Sequence, residues 1–368
     1  MISNLWIRAA VPAILTIALA IPPRGWTAFA QQQDNGPIKP PQQTVPPPPQ
    51  APAQPAQDQK QTGQQKPPDY SIAVESNLVR LEAVATDQDG NILTGLNRSN
   101  FRIIDDGAPQ QITYFSPSDA PITVVILMEF SRISYWFARD AKVWGYEFLS
   151  HLNKKDWVAL ITYDLKTTLQ VDFTQNREEV EQSIVGLFFP DFSEANMFDS
   201  VIETVDRMQD VKGKKAILLL ASGYDTFSKH TLDQTIKHLR TTDVTIYSVG
   251  VAEEAMVRSI RDGGIGYVQA KNQLTTFSRM TGGYAWFPRF DGELPGIFDG
   301  VTAYLRNQVT LGFTPTNPAR DGKYHKLKVE AVDNNGNPLT VPNAKGKPRK
   351  VIVYCREGYT APTGTVGD

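Results

Sequence analysis

Cysteine is almost missing from this chain. Cys355 is the only one in 368 residues, which excludes an intrachain disulfide framework, and it reads as a small, half-buried strand residue. Histidine is nearly as scarce. The four, His151, His230, His238 and His325, are scattered along the sequence, and none belongs to a zinc-like spacing. His230 and His238 fall on one expected helix and read as a solvated face rather than a ligand pair. An excess of charge is missing too: 37 Lys+Arg stand against 39 Asp+Glu, a net charge of −2. No global field favours nucleic acid or an anionic membrane. Nor is there an uninterrupted apolar run of about 20 residues, the length that spans a bilayer.

What is present begins with an export signal. Arg8 supplies the positive charge, residues 9–21 the apolar core, and Ala28-Phe29-Ala30 a small-x-small cleavage site, so segment 1–30 is expected to be removed. An uncleaved anchor is the alternative, but Pro12, Pro22 and Pro23 interrupt the run. After cleavage no transmembrane span is expected, and a periplasmic or secreted location is. Segment 31–69 is dominated by Gln, Pro and Ala, with Pro46-Pro-Pro-Pro49 inside it. It has too little apolar content to offset ordering entropy and reads as a disordered or polyproline II spacer.

The next part alternates like strands, at 71–74, 79–85, 101–104 and 111–115. Asp87-Gln-Asp-Gly-Asn91 is similar to a calcium loop, yet its twelfth position is Arg98 instead of a bidentate Glu, so a Gly-containing turn is the better reading. The segment 81–94 resembles 329–340, both being strand, Asn/Gly turn and strand. Neither flank has enough strands for a stable sandwich alone, so 70–118 and 315–362 are expected to share one β-sandwich, with a short disordered tail at 363–368.

Between them, 119–314 alternates β and α. Val124-Val-Ile-Leu-Met128 suits a strand covered on both faces, followed by a helix over 134–152 with Phe137, Val143, Trp144 and Phe148 available to the core. Strands at 157–163 and 168–173 pair like a hairpin, and Asn176 caps a helix reaching Leu187. Helices follow near 196–208, 229–240, 273–281 and 294–307, with strands at 216–221, 244–250 and 283–287. This order predicts an α/β, doubly wound, mostly parallel sheet.

The end of the first of these strands carries the main motif. Met128-Glu-Phe-Ser-Arg-Ile-Ser134 places an acid and hydroxyls at the crevice where open α/β sheets hold ligands. With Lys215-Ala-Ile-Leu-Leu-Leu-Ala-Ser-Gly-Tyr-Asp225 and Thr245-Ile-Tyr-Ser-Val-Gly250, it resembles the von Willebrand factor A (vWA) domain. The lead 94–110 and the tail pieces Met280-Thr-Gly-Gly-Tyr-Ala-Trp-Phe287, Leu311-Gly-Phe-Thr-Pro-Thr-Asn317 and Arg356-Glu-Gly-Tyr-Thr-Ala-Pro362 resemble a bacterial, mainly acidobacterial, group of exported vWA-related proteins.

The resemblance implies a divalent-cation site built on Asp-x-Ser-x-Ser, a Thr and a further Asp. This sequence departs from that pattern. Glu129 replaces the Asp, Ser131 is kept, Ile133 replaces the second Ser with Ser134 one step late, Ala195 stands at about the Thr, and Ser222 takes the last carboxylate's place. Glu129, Ser131, Ser134 and Asp225 are the remaining metal candidates, with Asp191 and Glu194 nearby. No cofactor is expected beyond a weakly held Mg²⁺ or Mn²⁺.

The same rim is rich in aromatics, among them Phe130, Tyr135, Trp136, Phe188, Phe189, Phe192, Tyr224 and Phe227, whereas Phe198 reads as core. Phe130, Trp136, Phe192 and Tyr224 are the expected contacts for a protein or peptide partner, since aromatics anchor interfaces. The leading reading is thus an exported binding module with a degenerate metal site. A structural role in an envelope assembly, with the α/β unit as scaffold, is the alternative. Catalysis is not expected. A triad of Ser131 or Ser134 with His151 and Asp225 lacks a nucleophile elbow, and Gly263-Gly-Ile-Gly266 lacks dinucleotide-site spacing.

Overall fold

The computed structural model describes residues 78–117, 120–132, 135–188, 192–250, 265–316, 321–343 and 345–363, and of residues 135–141, 265 and 291 the backbone alone. The expected export signal, the 31–69 spacer, the strand at 71–74, Ile133, Ser134, Phe189, Asp191, Gly263, Gly264, the side chains of Tyr135, Trp136 and Phe137, and most of the tail lie outside the described residues.

In chain order, β1 (Val79–Thr86), β2 (Phe101–Asp105), β3 (Ala108–Gln110) and β4 (Ile112–Ser116) lead into β5 (Ile122–Glu129). There follow α1 (Tyr135–Ser150), β6 (Trp157–Tyr163), β7 (Thr167–Thr174), α2 (Arg177–Gly186), α3 (Met197–Arg207), β8 (Lys214–Ala221), α4 (Leu232–Leu239) and β9 (Thr245–Gly250). Then come α5 (Ile265–Thr281), β10 (Ala285–Trp286), α6 (Leu294–Arg306) and β11 (Val309–Phe313). The last strands are β12 (Tyr324–Ala331), β13 (Thr340–Pro342), β14 (Pro348–Lys350), β15 (Ile352–Cys355) and β16 (Gly358–Thr360).

One sheet runs β10-β9-β8-β5-β6-β7, parallel except for β7, which returns antiparallel to β6. Its central strand is apolar at successive positions because both faces are covered. Val124, Ile126 and Met128 enter a layer with Trp144 and Phe148 of α1, Ile184 of α2 and Phe298 of α6. Val125 and Leu127 enter the opposite layer with Val201 of α3, Leu239 of α4 and Phe277 of α5. Each such aliphatic side chain, once buried, contributes about 1.5–3 kcal/mol.

Two antiparallel sheets, β15-β1-β11-β4 and β16-β12-β2-β3, take strands from both ends of the described chain. Leu81, Ile103, Leu311, Phe313, Leu327 and Tyr359 meet in a third buried cluster. β11 falls within the segment assigned to the α/β unit, yet it pairs with β1 and β4, because Leu311 and Phe313 bury in this cluster. The resemblance between 81–94 and 329–340 has a structural counterpart. Asp87 Oδ1 accepts the amides of Asp89 and Asn91, and Asp333 Oδ1 accepts those of Asn335 and Asn337, with Gly90 and Gly336 at positive φ. In the 87–91 turn the acid thus binds its own backbone.

Several local expectations are corrected. Val143 is 62% exposed, since the core stripe of α1 runs through Trp144 and Phe148, one turn apart. Asn176 stands at the N-cap of α2 but makes no side-chain cap bond, and its own amide goes to Thr174 Oγ1. The helix expected over 229–240 starts only at Leu232. The amides of Lys229 and His230 bind the Asp199 carboxylate, and Thr231 with Gln234 forms the capping box. His230 and His238 each meet an acid on α3, Asp199 and Asp206, at 2.8 and 2.7 Å. The strand expected over 283–287 shrinks to two residues. Among the described residues no helix is long and apolar enough to cross a membrane.

Candidate functional site

The end of β5 and its two neighbours converge on one carboxylate. Glu129, the last residue of β5, is completely buried. Ser131 Oγ donates to its Oε1 at 2.9 Å, and the backbone N–H of Ser222, just past β8, donates to Oε2 at 2.6 Å. Tyr163, which ends β6, lies with its hydroxyl 3.5 Å from Oε2. Because β6 and β8 flank β5, the three strand ends bring these groups to a single side chain. Burial, then the charge of Glu129, then that of Asp225 push the Tyr163 hydroxyl well above its ordinary range, so it stays protonated.

This geometry tests whether the residues fit the Mg²⁺ or Mn²⁺ that the family resemblance implies. A cation needs lone pairs turned toward it, but an amide N–H is aimed at Oε2 and a serine hydroxyl at Oε1. Ser222 Oγ accepts the Tyr224 amide at 3.2 Å. Ala195 offers no oxygen from its side chain, and its backbone amide donates to Thr226 Oγ1 at 2.9 Å. Glu194 accepts from the Ser193 amide. The residues around Glu129 do not fit the family's ion.

Asp225, named with the metal candidates, is engaged elsewhere. Its Oδ1 accepts the Phe198 amide at 3.0 Å and the Ser228 hydroxyl, and so it caps the start of α3. Burial raises its pKa against those hydrogen bonds. With Ser131 the imagined triad is not assembled either, and Ser134 lies outside the described residues. His151 follows the far end of α1 and lies 3.6 Å from Asp299, while Ser131 serves Glu129.

The expected aromatic contacts divide. Phe192 is 39% exposed and Phe130 half-buried. Tyr224 is half-buried, packs against the core, and has a buried hydroxyl without a hydrogen-bond partner among the described residues. Its ring lies beside Gly266 of α5, so it supports the loop more than it faces outward. Phe227 and Phe188 are more exposed, at 57% and 86%. The loops carrying Phe192 and Phe227 are tied together: the amides of Thr226 and Phe227 both reach Ala195 O, and the Arg132 amide reaches Phe192 O. Phe198 is buried edge-on to Phe277.

The fold resembles that of von Willebrand factor A domains. No family model matches the sequence, and no curated protein matches it. Similar solved structures include proximal thread matrix protein 1 from the mussel byssus, 12% identical, covering 51% of this chain and 49% of that one, with a TM-score of 0.40. The chain thus matches about half the length of the mussel protein. A von Willebrand factor type A protein from Catenulispora acidiphila is 12% identical, over 78% of this chain and 75% of that chain, TM-score 0.40. The vWF domain of the type V pili tip protein Mfa5 from Porphyromonas gingivalis is 13% identical over 51% and 95%, TM-score 0.39. At such identities and scores these likenesses carry no weight for function.

Proposed function

We propose that this is an exported binding module. It recognises a protein or peptide through the loops at the C-terminal edge of its parallel sheet, without a metal ion. The observation that supports this reading is the Glu129 carboxylate, which takes its hydrogen bonds from Ser131 and the Ser222 amide instead of serving a cation. The inherited ligand position then becomes a rigid floor under the loops that carry Phe192 and Phe227, and exposed aromatics on tied loops suit an interface anchor.

Capture of partners from envelope extract by the purified protein tests the reading. Binding is expected to be equal in chelator and in millimolar-range Mg²⁺ or Mn²⁺, and to fall at least about tenfold in the Phe192→Ser, Phe227→Ser double variant, as loss of interface anchors predicts. A large loss in chelator, with the double variant binding normally, would overturn it.

A further inference from the structure

We infer that Asp105, Asp106 and His325 form a binding site for a divalent transition ion of the zinc class, separate from the Glu129 cluster. Asp105 ends β2, Asp106 and Gly107 make the two-residue turn into β3, and His325 lies in β12 beside them. The φ of 46° at Asp106 and 86° at Gly107 is what a type I′ Asp-Gly hairpin turn requires. The turn therefore explains the backbone, and the side chains carry the argument.

One donor atom from each residue lies within 4.8 Å of the others. His325 Nδ1 is 3.3 Å from Asp105 Oδ1 and 3.2 Å from Asp106 Oδ2. Two ligands about 2.0 Å from a tetrahedral ion stand roughly 3.3 Å apart, so both edges already have the length that such an ion imposes.

The decisive atom is Asp105 Oδ1. Asp105 is 6% exposed, and among the described residues this oxygen has no hydrogen-bond partner. Its other oxygen accepts the Tyr359 hydroxyl at 3.0 Å, and Asp106 Oδ1 accepts the Lys326 amide at 2.8 Å. Each acid therefore has one oxygen held by the protein and one directed at the imidazole. One imidazole can offset at most one of the two negative charges, whereas a divalent ion offsets both and gives Oδ1 a partner. Imidazole among the donors disfavours Mg²⁺ and Ca²⁺ and suits Zn²⁺, Co²⁺ or Ni²⁺.

The surroundings match a metal site's outer shell. Tyr359 orients Asp105 by its hydroxyl, and its ring stacks on His325 at 5.0 Å. Three protein ligands leave a fourth position for water, on the side where the Asp106 side chain is 52% exposed.

The test titrates tag-free, chelator-treated full chain with Zn²⁺, Co²⁺, Mg²⁺ and Ca²⁺, followed by calorimetry and by the visible absorption of bound Co²⁺. Stoichiometric Zn²⁺ and Co²⁺ binding is expected, with Mg²⁺ and Ca²⁺ failing to compete. Asp106→Asn and His325→Gln should each weaken Zn²⁺ at least about tenfold, and Tyr359→Phe roughly tenfold, as losses in a metal site's inner and outer shells do. Phe192→Ser should leave it unchanged. Asp106 is a half-exposed turn residue, so its variant keeps the fold, and circular dichroism checks this. Absence of stoichiometric binding, or Zn²⁺ binding undiminished in both Asp106→Asn and His325→Gln, would overturn the site and leave an ion pair only.

Discussion

Glu129 and Asp105 are both buried carboxylates at the end of a strand, and the structure treats them in opposite ways. Glu129 receives the Ser131 hydroxyl on Oε1, from just beyond its own strand, and the Ser222 amide on Oε2, from the end of β8. Asp105 receives one hydroxyl and keeps its second oxygen without a donor, beside an imidazole and another acid. A carboxylate saturated by protein donors has little to offer a cation, while one left short of donors needs a positive partner. Donor supply, more than the number of acids, separates the two. In the family that this chain resembles the ion belongs at the first location; here the chemistry favours the second.

The comparison breaks most sharply at Glu129. Glu129→Ala removes the acceptor of the Ser222 amide and the Ser131 hydroxyl and opens a cavity in a site closed to solvent. Unfolding in urea should show a loss of roughly 4 kcal/mol, and chelator should make no difference to wild type at this site. A loss below about 1 kcal/mol would mean that the donors find other partners, and that the floor is not built on Glu129.

A half-buried carboxylate extends the contrast. Glu82 of β1 lines a cavity of about 300 Å³ with Lys214, Thr310 and Arg356. Thr310 Oγ1 donates to it at 2.9 Å, but Lys214 stays 4.0 Å away. Burial raises its pKa from 4.5 to about 7, against the opposing pull of Lys214, Thr310 and Arg80. The folded protein therefore holds a proton here that the unfolded chain has already released. This contribution to stability is complete below about pH 4.5 and is lost as pH rises through about 7. Glu82→Gln should remove that dependence, so that the variant gains on wild type between pH 5 and 8, by on the order of 3 kcal/mol at the upper end. Parallel stability–pH curves for the two proteins would show that Lys214 neutralises Glu82 fully.

The parallel sheet was legible because its signal is local. The run Val124-Val-Ile-Leu-Met128 and the alternation of β and α need no knowledge of distant residues, and they predict the covered strand that β5 proves to be. Glu129 was legible as a departure from a motif. Its solution was not, because the decisive donor is the backbone amide of Ser222, and no side-chain pattern announces an amide. The placement of Tyr224 and Asp225 was not legible for a related reason: a rim position in sequence does not say whether a side chain turns outward, or inward to cap α3. The Asp105, Asp106 and His325 group was missed because His325 is remote from the two acids in the chain and scattered histidines suggest no ligand spacing. Asp105-Asp106-Gly107 was visible only as a turn, and pairing of β2 with β12 makes it a neighbour of His325.

The smallest expected effect sharpens the comparison furthest. Asp105→Asn keeps the shape of the side chain and retains an oxygen to accept the Tyr359 hydroxyl. It places an amide donor where Oδ1 had none, facing His325 Nδ1 across the present 3.3 Å. With the His325 imidazole accepting that hydrogen bond, the metal-free variant should match wild type or exceed it by up to about 1 kcal/mol in urea unfolding. The same substitution removes one of two negative charges, so Zn²⁺ should stabilise wild type against heat and leave the variant unchanged. A loss of 2 kcal/mol or more on the order seen for breaking a satisfied buried charge would place Asp105 in the same class as Glu129. The ion pair with His325 would then be the arrangement that the fold requires, and donor supply would no longer separate the two carboxylates.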